Sequence, residues 1–231
     1  IVAKQGKNSL KDFTWPGEKR AKDELDIRDV LDDRPNDAKY LPKSFISYLD
    51  AWQRFLDIYP EDVPLPSFPI WAMEFGATYP YVGHTPHSLI EQALAGLRGA
   101  FGELLSGDSA SDFASLPPYA RETKPRFASW KERFISQNRE LYGFAPETFD
   151  AWLPSIRQFA PSFQKLEWNW KGGPRDIRSG IIQFRASGIR VKRPTVAPSL
   201  VALTTSQVPV IGWEQRYMTV RECARLQSMG S

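Results

Sequence analysis

The chain is poor in cysteine and histidine. Its 231 residues include one cysteine, Cys223, and two histidines, His84 and His87. A single cysteine excludes an internal disulfide and a cysteine-based metal cluster, and it fits a reducing compartment such as the cytoplasm. The two histidines have a spacing that metal ligands also use, but no third ligand is near them in the sequence. We therefore interpret them as loop residues and expect no metal site.

Long apolar segments are also absent. No run approaches the roughly 18 apolar residues of a membrane-spanning helix, so we expect no membrane partner. The N-terminal residues Ile1–Lys4 show no initiator Met and no signal-peptide pattern. The chain opens within an apolar, strand-like run, which indicates a piece of a longer protein. Apolar residues make up 42% of the chain and charged residues 25%, the usual balance of a globular domain.

Charge is distributed unevenly along the chain, although the net charge is only +3. Residues 1–164 hold 19 Lys and Arg against 23 Asp and Glu, whereas residues 165–231 hold 11 against 4. A basic segment on a nearly neutral protein is typical of a polyanion partner such as a nucleic acid. The alternative is a basic surface that contacts only solvent.

The hydrophobic periodicity predicts several helices. The apolar positions from Phe45 to Tyr59 recur at helical spacing, and Ser88 with Glu91 forms a capping box before an apolar stripe that reaches Leu105. The predicted helical segments are 25–31, 44–59, a helix from Ser88 to Leu105, 130–142, and 146–152 ended by Pro154. Residues 60–87 are rich in proline and aromatic residues, which predicts an ordered loop with aromatic anchors.

Short β segments follow residue 174. The predicted strands are 180–185, 189–193, 199–205 and 208–212. The first two flank Ala186-Ser187-Gly188, which indicates a hairpin. We therefore predict an α+β fold, with a helical region followed by a small twisted antiparallel β-sheet domain.

Strand alternation gives this hairpin one polar face. It would carry Gln183, Arg185, Arg190 and Lys192. A two-stranded ribbon is narrow enough to enter the major groove of DNA, where Arg and Gln can pair with base edges. The alternative is a solvated sheet face, which is common in antiparallel sheets.

The C-terminal segment carries a specific motif. Arg193-Pro-Thr195 is followed by Arg216-Tyr-Met-Thr-Val-Arg-Glu-Cys-Ala-Arg-Leu-Gln227. This resembles the ninth conserved block of the DNA (cytosine-5) methyltransferases, with Met218 at a position where Leu is common. Thr219 and Glu222 form a second capping box, which predicts that a helix starts at Thr219.

The start of the chain resembles the same family. Ile1–Lys4 with Phe13–Pro16 resembles the stretch after the eighth block, and Ile27–Leu31 with Tyr40-Leu41 resembles a helix that often follows it. The region between the two blocks is the target-recognition domain of the family. The resemblance thus implies a catalytic-domain strand and linker at 1–43, a mostly helical part at 44–160, a β-rich DNA-recognition part at 161–218, and the start of a returning helix at 219–231.

The resemblance also implies a function for the intact enzyme. The family flips a cytosine out of duplex DNA, attacks it with a thiolate and methylates carbon 5 from S-adenosylmethionine. In this chain the residues expected to contact double-stranded DNA are Lys165, Gln183, Arg185, Arg190, Lys192, Arg193, Thr195, Arg216 and Arg221. For the arginines of the last helix, salt bridges to the body of the protein are the alternative.

The catalytic parts of the family pattern are missing from this sequence. The family nucleophile follows a proline, whereas Cys223 follows Glu222 and is interpreted as a packed helix residue. The Gly-rich turn for S-adenosylmethionine and the Glu-Asn-Val motif are also absent. We expect no catalytic residue and no bound cofactor in this fragment, and a missing catalytic domain, in the same or a separate chain, as its partner. The alternative is a stand-alone DNA-binding or regulatory module.

The last helix has apolar positions that the resemblance assigns to contacts with the catalytic domain. Cys223, Leu226 and Met229 are therefore expected to pack against a surface that this chain lacks or only partly contains. Such a short helix is marginal without tertiary packing, so we expect it to be frayed or held by another chain.

Overall fold

The structure is a computed structural model that describes residues 26–89, 91–195 and 207–227. The predicted N-terminal strand, the Phe13–Pro16 segment, the predicted strand at 199–205 and Met229 lie outside the described residues. No helix within the described ranges is long and apolar enough to cross a membrane.

The described residues contain five α-helices: α1 (Lys43–Ile58), α2 (Ser109–Ser115), α3 (Ser129–Gly143), α4 (Pro146–Arg157) and α5 (Val220–Leu226). The helices predicted at 44–59 and 130–142 are confirmed. Within the segment predicted at 25–31, Ile27–Val30 forms one short 3-10 turn, and the Asp26 carboxylate caps it by accepting a hydrogen bond from Arg28 N.

Helix α4 continues beyond Pro154, so the predicted end of this helix is wrong. The proline lacks one N–H donor and therefore costs a helical hydrogen bond. Trp152, Leu153 and Ile156 are all buried on the inner side of α4. Burial of these apolar side chains on both sides of Pro154 offsets the lost hydrogen bond.

The helix predicted from Ser88 to Leu105 is also wrong. The described residues of this segment form short 3-10 turns and a tight loop. The capping box lies one turn earlier, between Thr85 and Ser88. Gly96 and Gly102 have positive φ angles of 80° and 73°, a conformation that suits glycine and breaks a helix. The apolar positions that imitate a helical stripe instead pack individually, as Leu94 and Leu105 do.

Within the described ranges, six strands form one sheet in the order β1-β2-β4-β3-β5-β6. They are β1 (Ile70–Trp71), β2 (Lys165–Asn169), β3 (Ile181–Arg185), β4 (Gly188–Lys192), β5 (Val210–Ile211) and β6 (Arg216–Tyr217). The predicted hairpin of β3 and β4 is confirmed, although its turn has two residues because Gly188 already pairs with Arg185.

The sheet is antiparallel except for β2 and β4, which pair in parallel from Leu166 with Ile189 to Asn169 with Lys192. This pairing departs from the predicted all-antiparallel sheet. Parallel neighbours need a crossover connection, and here β3 with its preceding turn provides it. Because the hairpin lies between β2 and β5, its polar face forms the centre of one face of the sheet.

The main core lies on one face of this sheet. Helices α1 and α4 pack there, with Trp52, Phe55 and Ile156 among the fully buried residues. The sheet contributes Leu166, Trp168, Ile182, Phe184, Ile189 and Val191. This core joins residues on both sides of position 160; the domain boundaries themselves stay a prediction.

Helix α5 packs against this chain itself, which agrees with the expectation of a surface that the chain partly contains; that another chain holds the helix stays a prediction. Cys223 and Leu226 are partly buried against a cluster of Ile27, Ile181, Ile211 and Met218. The capping box predicted at Thr219 and Glu222 is confirmed. The residues before α1 therefore supply part of the surface that was expected from a catalytic domain.

Candidate nucleic-acid interface

The second face of the sheet is polar at its centre. Register pairing places Glu167 beside Arg190, Asn169 beside Lys192, and Gln183 beside Arg190. Side chains that are partners in register point to the same face. We call this surface the polar face; its residues are Lys165, Glu167, Asn169, Gln183, Arg185, Arg190 and Lys192. The structure thus brings together five of the nine residues that the sequence predicts to bind DNA.

Apolar clusters lie on both sides of the polar face. At the β1 edge, Trp71 pairs with Lys165 and belongs to a cluster with Tyr79 and Leu105. Toward β5, Ile181 pairs with Ile211, and both belong to the cluster under α5. The polar face is therefore flanked by packed protein on two sides.

One carboxylate organises the two arginines of the polar face. Glu167 on β2 accepts a hydrogen bond from Arg190 Nη2 at 2.9 Å, and its Oε2 also binds Arg185. Asn169 Nδ2 donates to the other carboxylate oxygen at 2.8 Å. Burial alone would raise the pKa of Glu167, but hydrogen bonds from Arg190 and Asn169 outweigh it and hold the pKa below its usual value.

These ion pairs leave hydrogen-bonding capacity on both arginines. The Nε atoms of Arg185 and Arg190 are buried and have no hydrogen-bond partner among the described residues. The side chains themselves are 20% and 27% exposed. The guanidinium groups are thus held in place at their Nη2 ends, and an incoming acceptor would reach the exposed part of each group and not its buried Nε atom.

Two lysines flank the arginines. Burial, then the charge of Arg190, lowers the pKa of Lys192, because neighbouring positive charges disfavour another one. Lys165 Nζ lies 5.1 Å from the ring centroid of Trp71 and 4.7 Å from that of Tyr119. Its pKa is lowered by burial and then by Lys131. Burial is the main cause of both shifts, and neighbouring positive charges add to it.

Gln183 is less accessible than its place in the pattern suggested. Only 5% of the residue is exposed, and Nε2 donates to the Gln207 carbonyl at 3.3 Å. In this conformation Gln183 therefore supports the link between β3 and residue 207. Its role in reading a base stays a prediction.

The side chain of Arg216 is buried and forms ion pairs within the protein. It is 1% exposed and forms two hydrogen bonds of 2.9 Å with the buried Glu222 carboxylate. These bonds are the main reason that its pKa is raised. Its guanidinium is therefore buried against Glu222 and is not exposed to a phosphate here.

The other residues predicted to bind DNA lie outside the polar face. Arg193 is exposed and follows Lys192 at the end of β4, and Thr195 is half-buried two residues further on. Arg221 on α5 is exposed, with its Nε 3.7 Å from Asp32. Arg225 binds the same carboxylate at 2.7 Å.

Catalytic and metal chemistry find no support in the described residues. Cys223 is partly buried in an apolar cluster, where burial and then the charge of Glu222 raise the pKa of its thiol. A neutral thiol is a poor nucleophile. No group of three His, Cys, Asp or Glu within the described ranges could hold a metal ion.

Two important residues of the polar face, Glu167 and Asn169, were missing from the sequence prediction. The stretch Lys165–Asn169 alternates polar with apolar positions, and the apolar ones, Leu166 and Trp168, are buried. That period-two pattern is a strand signal. It was hidden by the neighbouring Trp170 and by the absence of a hairpin partner nearby in the sequence.

Comparison with known proteins supports the family resemblance. The chain is 37% identical over 116 residues to the Type II methyltransferase M.AluI of Cellulosimicrobium cellulans. The aligned part covers 48% of this chain and 21% of that protein. The chain thus spans about a fifth of the length of the relative. No family model and no solved structure matches the chain. The resemblance to a methyltransferase that the sequence motifs indicated is confirmed.

Proposed function

We propose that this chain is the DNA-reading part of a DNA (cytosine-5) methyltransferase, and that its polar face binds double-stranded DNA. The observation that carries the proposal is the cluster of Arg185, Arg190 and Lys192 around the Glu167 carboxylate, with Lys165 on the same sheet face. The similarity to a Type II methyltransferase supports the enzyme context. The cytoplasmic location, which the single cysteine fits, and a restriction–modification role, which the Type II relative suggests, belong to the same proposal.

The arrangement of charges suits division of labour on DNA. Arg185 and Arg190 are held rigidly by Glu167, and rigid guanidinium groups suit base edges in the major groove. Lys165, Lys192 and Arg193 lie around them and suit phosphates, which set the position of a complex without reading sequence. Arg216 is left out of the interface because it is buried.

In the intact enzyme, S-adenosylmethionine would supply the methyl group. The described residues do not fit that cofactor or the nucleophile, since the thiol of Cys223 is packed and protonated at neutral pH. The contribution of this chain is to fix the register of the enzyme on DNA. We therefore expect the isolated chain to transfer no methyl group to DNA and to bind S-adenosylmethionine negligibly.

The direct test is binding of duplex DNA by the chain, measured by fluorescence anisotropy at moderate salt. We expect binding that falls steeply with salt and that is lost when Arg185, Arg190 and Lys192 are changed to Ala. The matched control changes the exposed cations Lys124 and Arg126, which lie outside the sheet. Equal losses in the two sets, or unchanged binding in the folded triple variant, would reject the polar face as the interface.

A second candidate is a DNA-binding module without enzymatic role. The observation that favours it is the packing of α5 against residues of its own chain. Assay with labelled S-adenosylmethionine separates the two, using the chain joined to, or mixed with, the polypeptide encoded directly upstream. Methylated cytosine in that mixture supports the enzyme, and its absence supports the module.

A further inference from the structure

A cavity among the described residues lies next to the polar face, at the end of the β2–β4 pair. Its volume is about 710 Å³. We call it the tryptophan pocket, because Trp168 and Trp170 line one side and the loop Pro64–Ser67 lines the other. Asn169 and Arg193 also line it. Asn169 also belongs to the polar face, so the pocket adjoins the end of that face, while Trp168 lies on the core side of β2.

The two indoles form a flat aromatic wall. Their rings are nearly parallel, with an interplanar angle of 14° and centroids 6.5 Å apart, and Trp168 Nε1 donates to the Trp170 carbonyl at 3.0 Å. Gly173 covers one side of the Trp170 ring so closely that a Cβ there would lie 2.4 Å from three ring atoms. The indole is thus fixed by backbone rather than by a flexible side chain.

The proline-rich wall is also fixed. Arg175 donates hydrogen bonds to the carbonyls of Tyr59, Pro60, Glu61 and Val63, at 2.6 to 3.0 Å. Its guanidinium also lies over the Tyr59 ring. These bonds engage both Nη atoms of Arg175 and anchor the loop that continues into Pro64–Ser67.

The free charges around the tryptophan pocket are positive. Lys171 and Arg193 are exposed and form no ion pair within the part of the chain that the structure describes. None of the described lining residues is acidic. A flat aromatic surface beside cations is the combination that binds a base together with its phosphate. A peptide or lipid would not need both an aromatic surface and cations beside the polar face.

We propose that the tryptophan pocket binds one unstacked nucleotide of DNA, with its base against Trp170 and its phosphate near Lys171 and Arg193. This inference rests on the proposed function, because the duplex on the polar face brings the nucleotide to the pocket. Asn169 Nδ2 donates a hydrogen bond to Glu167. Its side-chain carbonyl oxygen can therefore accept a hydrogen bond from a base amine.

The experiment compares three duplexes of one sequence by fluorescence anisotropy with the 231-residue chain. The first is fully paired, the second carries one unpaired adenine, and the third carries an unpaired abasic unit at the same position. An unpaired base costs little to unstack. We expect the adenine bulge to bind roughly tenfold more tightly than the other two, because one base stacks on the indole. The abasic bulge separates stacking from recognition of bent DNA.

Two variants locate the effect. Trp170→Ala removes the stacking surface, and Ser67→Trp fills the pocket from an exposed position without removing core contacts. Both should bring the bulge preference to about one while retaining affinity for paired DNA. If Trp170→Ala fails to fold, Ser67→Trp decides alone. A preference that survives in folded Ser67→Trp, or equal binding of adenine and abasic bulges by the parent chain, overturns the proposal.

The outcomes also separate this inference from the proposed function. If the chain binds paired DNA through Arg190 and Lys192 but shows no bulge preference, the proposed function stands and the proposed nucleotide site is rejected. If the chain binds none of the three duplexes, both proposals are rejected.

Discussion

Glu167 accepts a hydrogen bond from Arg190 across the parallel β2–β4 pair, with 2.9 Å between Oε2 and Nη2. An acidic residue in the middle of a proposed DNA-binding face opposes binding of phosphates by simple charge repulsion. Its position is explained if it orients Arg190 and Arg185 rather than binding DNA itself. Charge and geometry then have opposite effects on affinity and on discrimination, which makes the role testable.

The first prediction concerns Glu167→Gln. Removal of one negative charge should raise affinity for unrelated DNA by about fivefold at low salt, since a charge at close range in water contributes about 1 kcal/mol. Discrimination between the best-bound duplex and a scrambled one should fall, because the arginines lose their fixed orientation. Competition binding with both duplexes measures the two effects.

The control for this prediction is Glu61→Gln, which makes the same charge change at an exposed side chain outside the sheet. It should alter affinity only slightly and leave discrimination unchanged. If both variants behaved alike, Glu167 would act through net charge alone.

The second prediction separates Lys192 from Arg190. Lys192→Ala should reduce the slope of log affinity against log salt by about 0.9 and weaken all sequences alike. Arg190→Ala should cost roughly 1–3 kcal/mol of discrimination between sequences. Titration of two duplexes at several salt concentrations measures both parameters. An equal loss of discrimination in the two variants would contradict the assignment of Lys192 to phosphate.

Local sequence signals predicted those parts of the fold that depend on local interactions. The amphipathic pattern of Phe45–Tyr59 gave α1, and the turn at Ala186–Gly188 gave the β3–β4 hairpin. The failures involve distant contacts. The β2–β4 pairing joins Leu166 to Ile189 across an intervening strand, and no local signal specifies such a partner. The stripe from Ile90 to Leu105 has helical spacing, but its glycines decide the backbone.

The candidate interface shows the same division. Alternation correctly placed Arg185, Arg190 and Lys192 on one face, because strand geometry is local. It could not show that Glu167 would stand among them, nor that Arg216 would be buried against Glu222. Those facts depend on which elements pack together.

The third prediction concerns Gly188, the first residue of β4. Its φ is +129°, and a Cβ would lie 2.8 Å from Lys165 Cβ and 2.9 Å from the Lys165 carbonyl oxygen. Gly188→Ala should therefore destabilise the fold by about 1–3 kcal/mol, through backbone strain and displacement of β2. Urea unfolding measures the change. Ser187→Ala, at an exposed position in the same turn, should leave the midpoint nearly unchanged. A stable Gly188→Ala variant would show that β2 can move away without cost.

The last prediction concerns Glu222, which ties α5 to the rest of the chain. Its carboxylate is fully buried and accepts hydrogen bonds from Arg216, from Thr219 N at 2.7 Å and from Asp32 N at 2.9 Å. Glu222→Gln leaves the buried Arg216 with the partly exposed Glu214 as its remaining carboxylate partner, and loss of one partner of a buried pair costs about 3–5 kcal/mol. We expect a lower free energy of unfolding and faster amide exchange across residues 222–227.

The pH dependence follows from the direction of the pKa shift. Burial raises the pKa of Glu222, but the hydrogen bonds from Arg216 and the backbone outweigh it, and the net pKa is below the usual value of 4.5. A carboxyl group with a lowered pKa in the folded state stabilises the fold above its unfolded pKa, and this contribution is lost as pH falls through the folded value. The stability difference between the parent and Glu222→Gln should therefore be full near neutral pH and shrink below about pH 4.

Glu214→Gln is the matched control, because Glu214 also binds Arg216 but its side chain is 35% exposed; exposed pairs contribute about 1 kcal/mol or less. Equal and pH-independent losses in the two variants would mean that α5 is held by its apolar contacts and not by Glu222.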